Sequence, residues 1–176
     1  LGINLRNIEI KARVGTLDEL RGKAAAIAGE GPVEMFQDDT FFNCPAGRLK
    51  LRVPMGGMGE LIFYRRAGGS GPKESFYVRS PAPDADSLRE ALTLGYGQRG
   101  RVRKHRTLYR AGRTRIHLDT VENLGSFLEL EVVLDGDEPS AAGIDEAHEL
   151  MRVLGVDSAQ LVDGAYIDLL SDSAPG

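Results

Sequence analysis

A chain of 176 residues suits one domain with a real core, and its 41% hydrophobic and 27% charged content is ordinary for a globular protein. Its formal net charge of −4 argues against a nucleic-acid binder working by bulk attraction. The single cysteine, Cys44, excludes an intramolecular disulfide and a cysteine-based zinc site, and no apolar run approaches the ~18 residues of a membrane span.

In chain order, residues 7–14 alternate throughout, with Asn7, Glu9, Lys11 and Arg13 on one side and Ile8, Ile10, Ala12 and Val14 on the other. That period of two marks a β-strand with one polar and one apolar face. Residues 17–28 read as a helix, with Thr16 and Glu19 in capping-box spacing and Leu17, Leu20, Ala24 and Ile27 along one face. A strand is expected over 37–43. A second clear alternation follows, Arg48, Lys50 and Arg52 against Leu49, Leu51 and Val53. Strands over 60–66 and 74–79 flank a glycine-rich loop at 68–72, which lacks the spacing of a phosphate-binding P-loop. An amphipathic helix fits 84–94, with Leu88, Ala91 and Leu92 inward. Residues 101–109 and 114–120 form a long hairpin about the turn at 110–113, and 126–134 alternate once more. A third helix spans 143–154, begun near Asp145 and ended by Gly155. Residues 160–170 read as a short helix or turn docked by Leu161, Tyr166, Leu169 and Leu170.

About eight strands and three main helices, with several connections too short for crossovers, give an α+β chain built on antiparallel sheet. The expected organisation is an extension at 1–6, one domain over 7–170, and a tail at 171–176. Charged residues that alternate with apolar ones ordinarily form the wet face of a sheet. Here the pattern recurs in Glu9 and Lys11, in Arg48, Lys50 and Arg52, in Lys104 and Arg106, in Arg115, His117 and Asp119, and in Glu129 and Glu131. Their apolar partners form one continuous face that the helices can cover. Helices outside turn the charged face inward, into a closed or nearly closed eight-stranded barrel with a polar lumen. Lysine and arginine forks there suit a polyphosphate, and clustered carboxylates suit a hard divalent cation, Mg²⁺ or Mn²⁺.

The motifs in order are Asn7-Ile8-Glu9-Ile10-Lys11, Gln37-Asp38-Asp39-Thr40-Phe41-Phe42, Gly47-Arg48-Leu49-Lys50-Leu51-Arg52, Val102-Arg103-Lys104-His105-Arg106, Arg115-Ile116-His117-Leu118-Asp119 and Phe127-Leu128-Glu129-Leu130-Glu131. With this order and spacing the chain resembles CYTH-domain proteins, members of the triphosphate tunnel metalloenzymes that include class IV adenylate cyclases and thiamine triphosphatases. The resemblance implies a triphosphate tunnel of eight antiparallel strands with helices outside. It implies that Lys11, Arg52, Lys104 and Arg106 clamp a triphosphate, with Asp119 orienting a cation or a phosphate-binding arginine. Arg48, Lys50, Arg115 and one of Arg65 or Arg66 would add substrate contacts. Glu9, Glu129, Glu131 and Asn7 would hold one or two Mg²⁺ or Mn²⁺ ions. Asn7 stands where the family hallmark has its first glutamate. A neutral carbonyl there leaves open single-metal chemistry, an altered substrate, or binding without turnover.

The activity implied is metal-dependent hydrolysis of a phosphoanhydride bond in ATP, thiamine triphosphate or tripolyphosphate, which needs no base-recognition pocket. Cyclisation of ATP to cyclic AMP and pyrophosphate is the alternative enzyme reading. A non-catalytic polyphosphate or nucleotide-binding module is the alternative of another class. No nucleic-acid or membrane partner is expected, the assembly is a monomer or homodimer, and the location is cytoplasmic. Parity adds His117 to the lumen, on the side of Arg115 and Asp119, and places His105 outside. Lys23 and Lys73 read as surface residues, with Lys73 near enough to a strand start to reach the tunnel mouth. Tyr64 and Tyr77 read as core. Parity over 60–66 leaves Arg65 and Arg66 undecided.

Overall fold

The computed structural model describes residues 5–66, 68 and 71–172. Its strands are β1 (Leu5–Val14), β2 (Glu30–Phe42), β3 (Arg48–Pro54), β4 (Gly59–Arg66), β5 (Lys73–Ala82), β6 (Gln98–Ala111), β7 (Thr114–Val121) and β8 (Gly125–Leu134). The helices are α1 (Asp18–Ile27), α2 (Ala85–Tyr96), α3 (Ser140–Leu154) and α4 (Tyr166–Asp172), with one 3₁₀ turn at Ser158–Gln160. All eight strands close into a single antiparallel barrel in the order β1-β5-β4-β3-β2-β6-β7-β8. Two meanders meet where β2 pairs with β6, and β1 seals the remaining gap by pairing with both β5 and β8. The barrel expected from alternation is therefore present.

The boundaries differ from expectation where local signals compete with tertiary pairing. Strand β1 takes in Leu5 and Arg6 of the expected 1–6 extension, whose residues 1–4 lie outside the described residues. Of the expected tail, residues 173–176 lie outside, as do 67, 69 and 70 beside or within the glycine-rich loop. Strand β2 begins at Glu30, well before residue 37, although Gly31-Pro32 reads as a break. Over that stretch its ladder partner is β6, with a register shift between Glu30 and Val33; pairing with β3 starts only at Gln37. A bulge on a strand with one neighbour tolerates proline. No side chain caps α1, where Thr16 makes only a 3.4 Å contact with the Asp18 N–H.

The apolar core lies outside the barrel wall. Ile8, Ile10 and Ala12 of β1, Ile116 and Leu118 of β7, and Leu128, Leu130 and Val132 of β8 pack under Leu20 and Ala24 of α1 and Ala147, Met151 and Leu154 of α3. Each fully buried leucine or isoleucine contributes about 1.5–3 kcal/mol of burial. Helix α3 starts at Ser140, so Gly143 falls inside its first turn and faces the sheet. A Cβ there would come within 2.7 Å of Ile8 and Leu134, so glycine is what lets α3 seat. Helix α2 covers Phe42, Leu51 and Ala82 with Leu88 and Leu92, while Ala91, expected inward, is exposed.

At one end of the barrel Phe41, Val102, Phe127 and Leu124 receive Ala165, Tyr166 and Ile167. Ile167 sits where a Cβ on Gly100 would stand, 2.5 Å from its Cδ1. Among the described residues no helix is long and apolar enough to cross a membrane.

Candidate functional site

With the apolar face committed to the helices, alternation sends every second side chain of each strand into the barrel. A cavity of about 300 Å³ runs there. Strand β1 presents Asn7, Glu9 and Lys11, β3 presents Lys50 and Arg52, β6 presents Lys104 and Arg106, β7 presents Arg115 and His117, and β8 presents Glu129 and Glu131. Cations outnumber carboxylates along this wall.

Two carboxylates organise most of the cations. Asp39 of β2 accepts from Lys50 Nζ at 2.8 Å and from Arg52 Nε and Nη2 at 2.7 Å each. Asp119 of β7 accepts from Lys104 Nζ at 2.8 Å, from Arg106 Nε and Nη2 at 2.6 Å each, and from the Tyr166 hydroxyl at 3.0 Å. Asp119 is 0% exposed and lies behind Lys104 and Arg106, so it supports the wall and does not reach the cavity. Burial alone would raise the pKa of both aspartates. The paired lysines and arginines outweigh it and hold both well below the usual carboxylate range. Burial, aided by Arg52, lowers the Lys50 ammonium to about 8 despite Asp39.

A second group of acids sits on β1 and β8. Glu9 stands directly across from Glu131 and is held by Arg66. Glu131 takes Arg115 at 2.7 Å, and burial notwithstanding, His117, Arg115 and Arg106 keep its carboxyl at about 2. Glu129 takes Arg106 Nη2 at 2.6 Å and Lys11 Nζ at 3.1 Å. Lys11 also donates to the Gly164 carbonyl at 3.1 Å and lies 4.3 Å over the Tyr166 ring. Three buried polar atoms on the wall, Asn7 Oδ1, Gln37 Oε1 and His117 Nδ1, have no hydrogen-bond partner among the described residues. Buried atoms left in this state are what a bound ligand or ion would satisfy.

Arg48 and Arg65 are not on the cavity wall. Arg65 points outward and stacks on Phe63 and Phe76, with its guanidinium 5.9 and 5.5 Å from the ring centres, whereas Arg66 faces in. The parity of 60–66 follows from Arg66 pairing in register with Ser75 of β5, another wall residue. Arg48 shares the side of Lys50 and Arg52, but α4 closes over it and Asp168 takes its charge. Tyr64 and Tyr77, read as core, line the cavity. Lys73, read as a surface residue, is buried against Asp163. Sequence reasoning gives Asp39 no role and reads Tyr166 only as a docking residue of its short helix. Asp39 had a usable signal, since it falls opposite Arg52 across a short hairpin. Tyr166 does dock its helix, and what local sequence does not indicate is that this helix closes the barrel end and brings the hydroxyl to Asp119.

A model of the CYTH domain matches residues 5–166. The chain belongs to the CYTH family. Among curated proteins, this CYTH chain is similar to adenylate cyclase CyaB of Aeromonas hydrophila, with 28% identity over 94% of this chain and 89% of the relative. Among solved structures it shares its fold with the PH1012 protein of Pyrococcus horikoshii OT3, at TM-score 0.83 and 23% identity over 93% of this chain and 98% of that one. A putative adenylate cyclase from Vibrio parahaemolyticus has TM-score 0.78 and 21% identity over 94% and 97% of the two chains.

Proposed function

We propose that this CYTH chain binds a triphosphate along its tunnel together with a divalent cation, Mg²⁺ or Mn²⁺, and hydrolyses a phosphoanhydride bond. The observation that carries this is the pair of Lys-x-Arg forks, Lys50 with Arg52 and Lys104 with Arg106, each fixed by one aspartate. Forks so fixed meet phosphate oxygens with little reorganisation, and phosphoryl transfer asks mainly for positioning and charge neutralisation. Lys11 and Arg66 extend the clamp along β1 and β4, and Arg115 extends it along β7. Asp39 and Asp119 orient the clamp and offset part of the burial that lowers its lysines. Glu129, Glu131 and His117 each offer a donor atom within 4.8 Å of the others, which fits a divalent cation. Such an ion, when bound, neutralises charge on the phosphate oxygens and the leaving group.

Cyclisation of ATP is the second reading, favoured by the 28% identical relative named an adenylate cyclase. Product identification separates the two. The full chain is incubated with tripolyphosphate, ATP or thiamine triphosphate and Mg²⁺ or Mn²⁺. Orthophosphate release is the expected result, and cyclic nucleotide with pyrophosphate establishes the second reading. Binding without any product makes the chain a triphosphate-binding module and overturns both.

A further inference from the structure

We infer that His117 is a metal ligand, completing a three-donor site with Glu129 and Glu131 that prefers a first-row transition ion such as Mn²⁺ or Co²⁺ over Mg²⁺. The inference deepens the metal-assisted reading above and rests on it. His117 on β7 stands directly opposite Glu129 on β8, and Glu131 follows two residues on, facing the same cavity. The imidazole is only 4% exposed, and its Nδ1 has no hydrogen-bond partner among the described residues. That nitrogen lies 3.7 Å from Glu129 Oε2 and 3.9 Å from Glu131 Oε1. Both distances are too long for hydrogen bonds. Two donors that each approach one cation to about 2.1 Å stand about 3.0–3.4 Å apart, so a shift of a few tenths of an ångström up to about 1 Å would bring these three groups onto one ion.

A buried nitrogen facing two carboxylates at similar distances and bonded to neither suits a positive centre, and the third donor decides which one. Mg²⁺ takes oxygen ligands in a near-ideal octahedron, whereas affinity at a mixed nitrogen and oxygen site grows along the first-row series from Mn²⁺ through Co²⁺, so an imidazole donor favours those ions over Mg²⁺. Glu129 already meets Arg106 and Lys11, and Glu131 meets Arg115. In the ligand-free chain those cations compete with a metal ion. A polyphosphate drawing the same cations toward itself frees carboxylate oxygens for the metal, so the ion and the anion should bind together.

The test is pulsed electron paramagnetic resonance of the full chain loaded with Mn²⁺ and tripolyphosphate. Nitrogen-14 modulation from a coordinated imidazole is expected. It should change to the nitrogen-15 pattern when the chain carries nitrogen-15 histidine, a readout that needs no variant. The modulation should survive His105→Gln combined with His148→Gln and vanish in His117→Gln. Competition of Mg²⁺ against bound Mn²⁺ should show the Mn²⁺ preference falling at least tenfold in His117→Gln. An absent nitrogen signal in the parent chain, or an unchanged preference in the variant, overturns the inference. Tripolyphosphate affinity measured by calorimetry with Mg²⁺ reports separately on the tunnel. If it fails there, the proposed function falls whatever His117 does.

Discussion

Asp39 and Asp119 hold matching stations on either side of the seam where β2 meets β6. Each stands directly opposite the arginine of a Lys-x-Arg pair on the neighbouring strand, Asp39 across from Arg52 and Asp119 across from Arg106. Each binds its arginine through two nitrogens and its lysine through one. The difference between them is water. Lys50 and Arg52 keep about 15% of their side-chain surface exposed, whereas Asp119, Lys104 and Arg106 are essentially dry.

That difference ranks two substitutions. Asp119→Asn removes the counter-charge of two buried cations and should cost about 3–5 kcal/mol, the usual result of breaking a buried pair on one side. Asp39→Asn should cost less, because water reaches the cations it would strand. Urea unfolding at pH 7 checks the order. Equal or inverted costs would mean that Asp119 is not the drier anchor.

Arg65 and Arg66 are neighbours in sequence on opposite sides of the barrel wall. Arg66→Ala should weaken tripolyphosphate binding about tenfold or more, since a charge-assisted hydrogen bond contributes about 1.5–3 kcal/mol. Arg65→Ala should leave the affinity within about twofold, the difference an exposed charge makes. Calorimetry on both variants decides it, and comparable losses would refute the parity.

The Lys50 ammonium, lowered to about 8 chiefly by burial and by Arg52, sits within reach of an ordinary assay range. Bound polyphosphate favours its charged form, so binding at pH 8–9 should take up protons. Calorimetry in buffers of different ionisation enthalpy measures this, and Lys50→Arg should remove most of the uptake. In the free protein the sign for stability follows from the same shift. The folded chain releases this proton before the unfolded chain does, so the contribution of Lys50 to stability rises with pH between about 8 and 10.5.

Acid should act in the opposite direction and much lower. Glu131 moves from an ordinary 4.5 to about 2, and Asp39, Asp119 and Glu129 are also held low by their cations. Groups depressed in the folded state contribute stability that is complete above their unfolded values and lost as pH falls through the folded ones. His117, held low chiefly by burial and by Arg106, should make the urea midpoint begin a shallow fall as pH drops below the ordinary 6.5, and the carboxylates should make it fall steeply between about 4.5 and 2. The shallow part should disappear in His117→Gln, and a loss between pH 7 and 5 that survives in that variant would contradict the ion-pair assignments.

The barrel was legible because a two-residue period tells which side chains share a face, and the helices had apolar faces to cover the other. The same period put Glu9, Lys11, Lys50, Arg52, Lys104, Arg106, Arg115, His117, Glu129 and Glu131 on the wall. It failed where position along the tunnel axis matters. Arg48 has the right parity but lies beneath α4, and Asp119 has it but is sealed behind its own partners. Parity is also silent on pairing, so Asp39 gained no role although its hairpin places it against Arg52. Tyr166 reaches the tunnel through a helix docked by Ile167 against Gly100, a packing relationship with no signature in local sequence.

The seam between β1 and β8 bears on how the chain is made. Glu9 and Lys11 belong to the first strand, yet their ladder partners, Glu131 and Glu129, come from the last. A nascent chain leaving the ribosome carries an uncapped strand edge, and Lys11 and Arg115 lack their carboxylate partners, until those residues emerge. Such long-range pairing makes barrel closure a late event in folding. Synthesis interrupted before β8 would release an open sheet prone to pair with other chains, so the acidic strand that completes the site also keeps the newborn protein from aggregating.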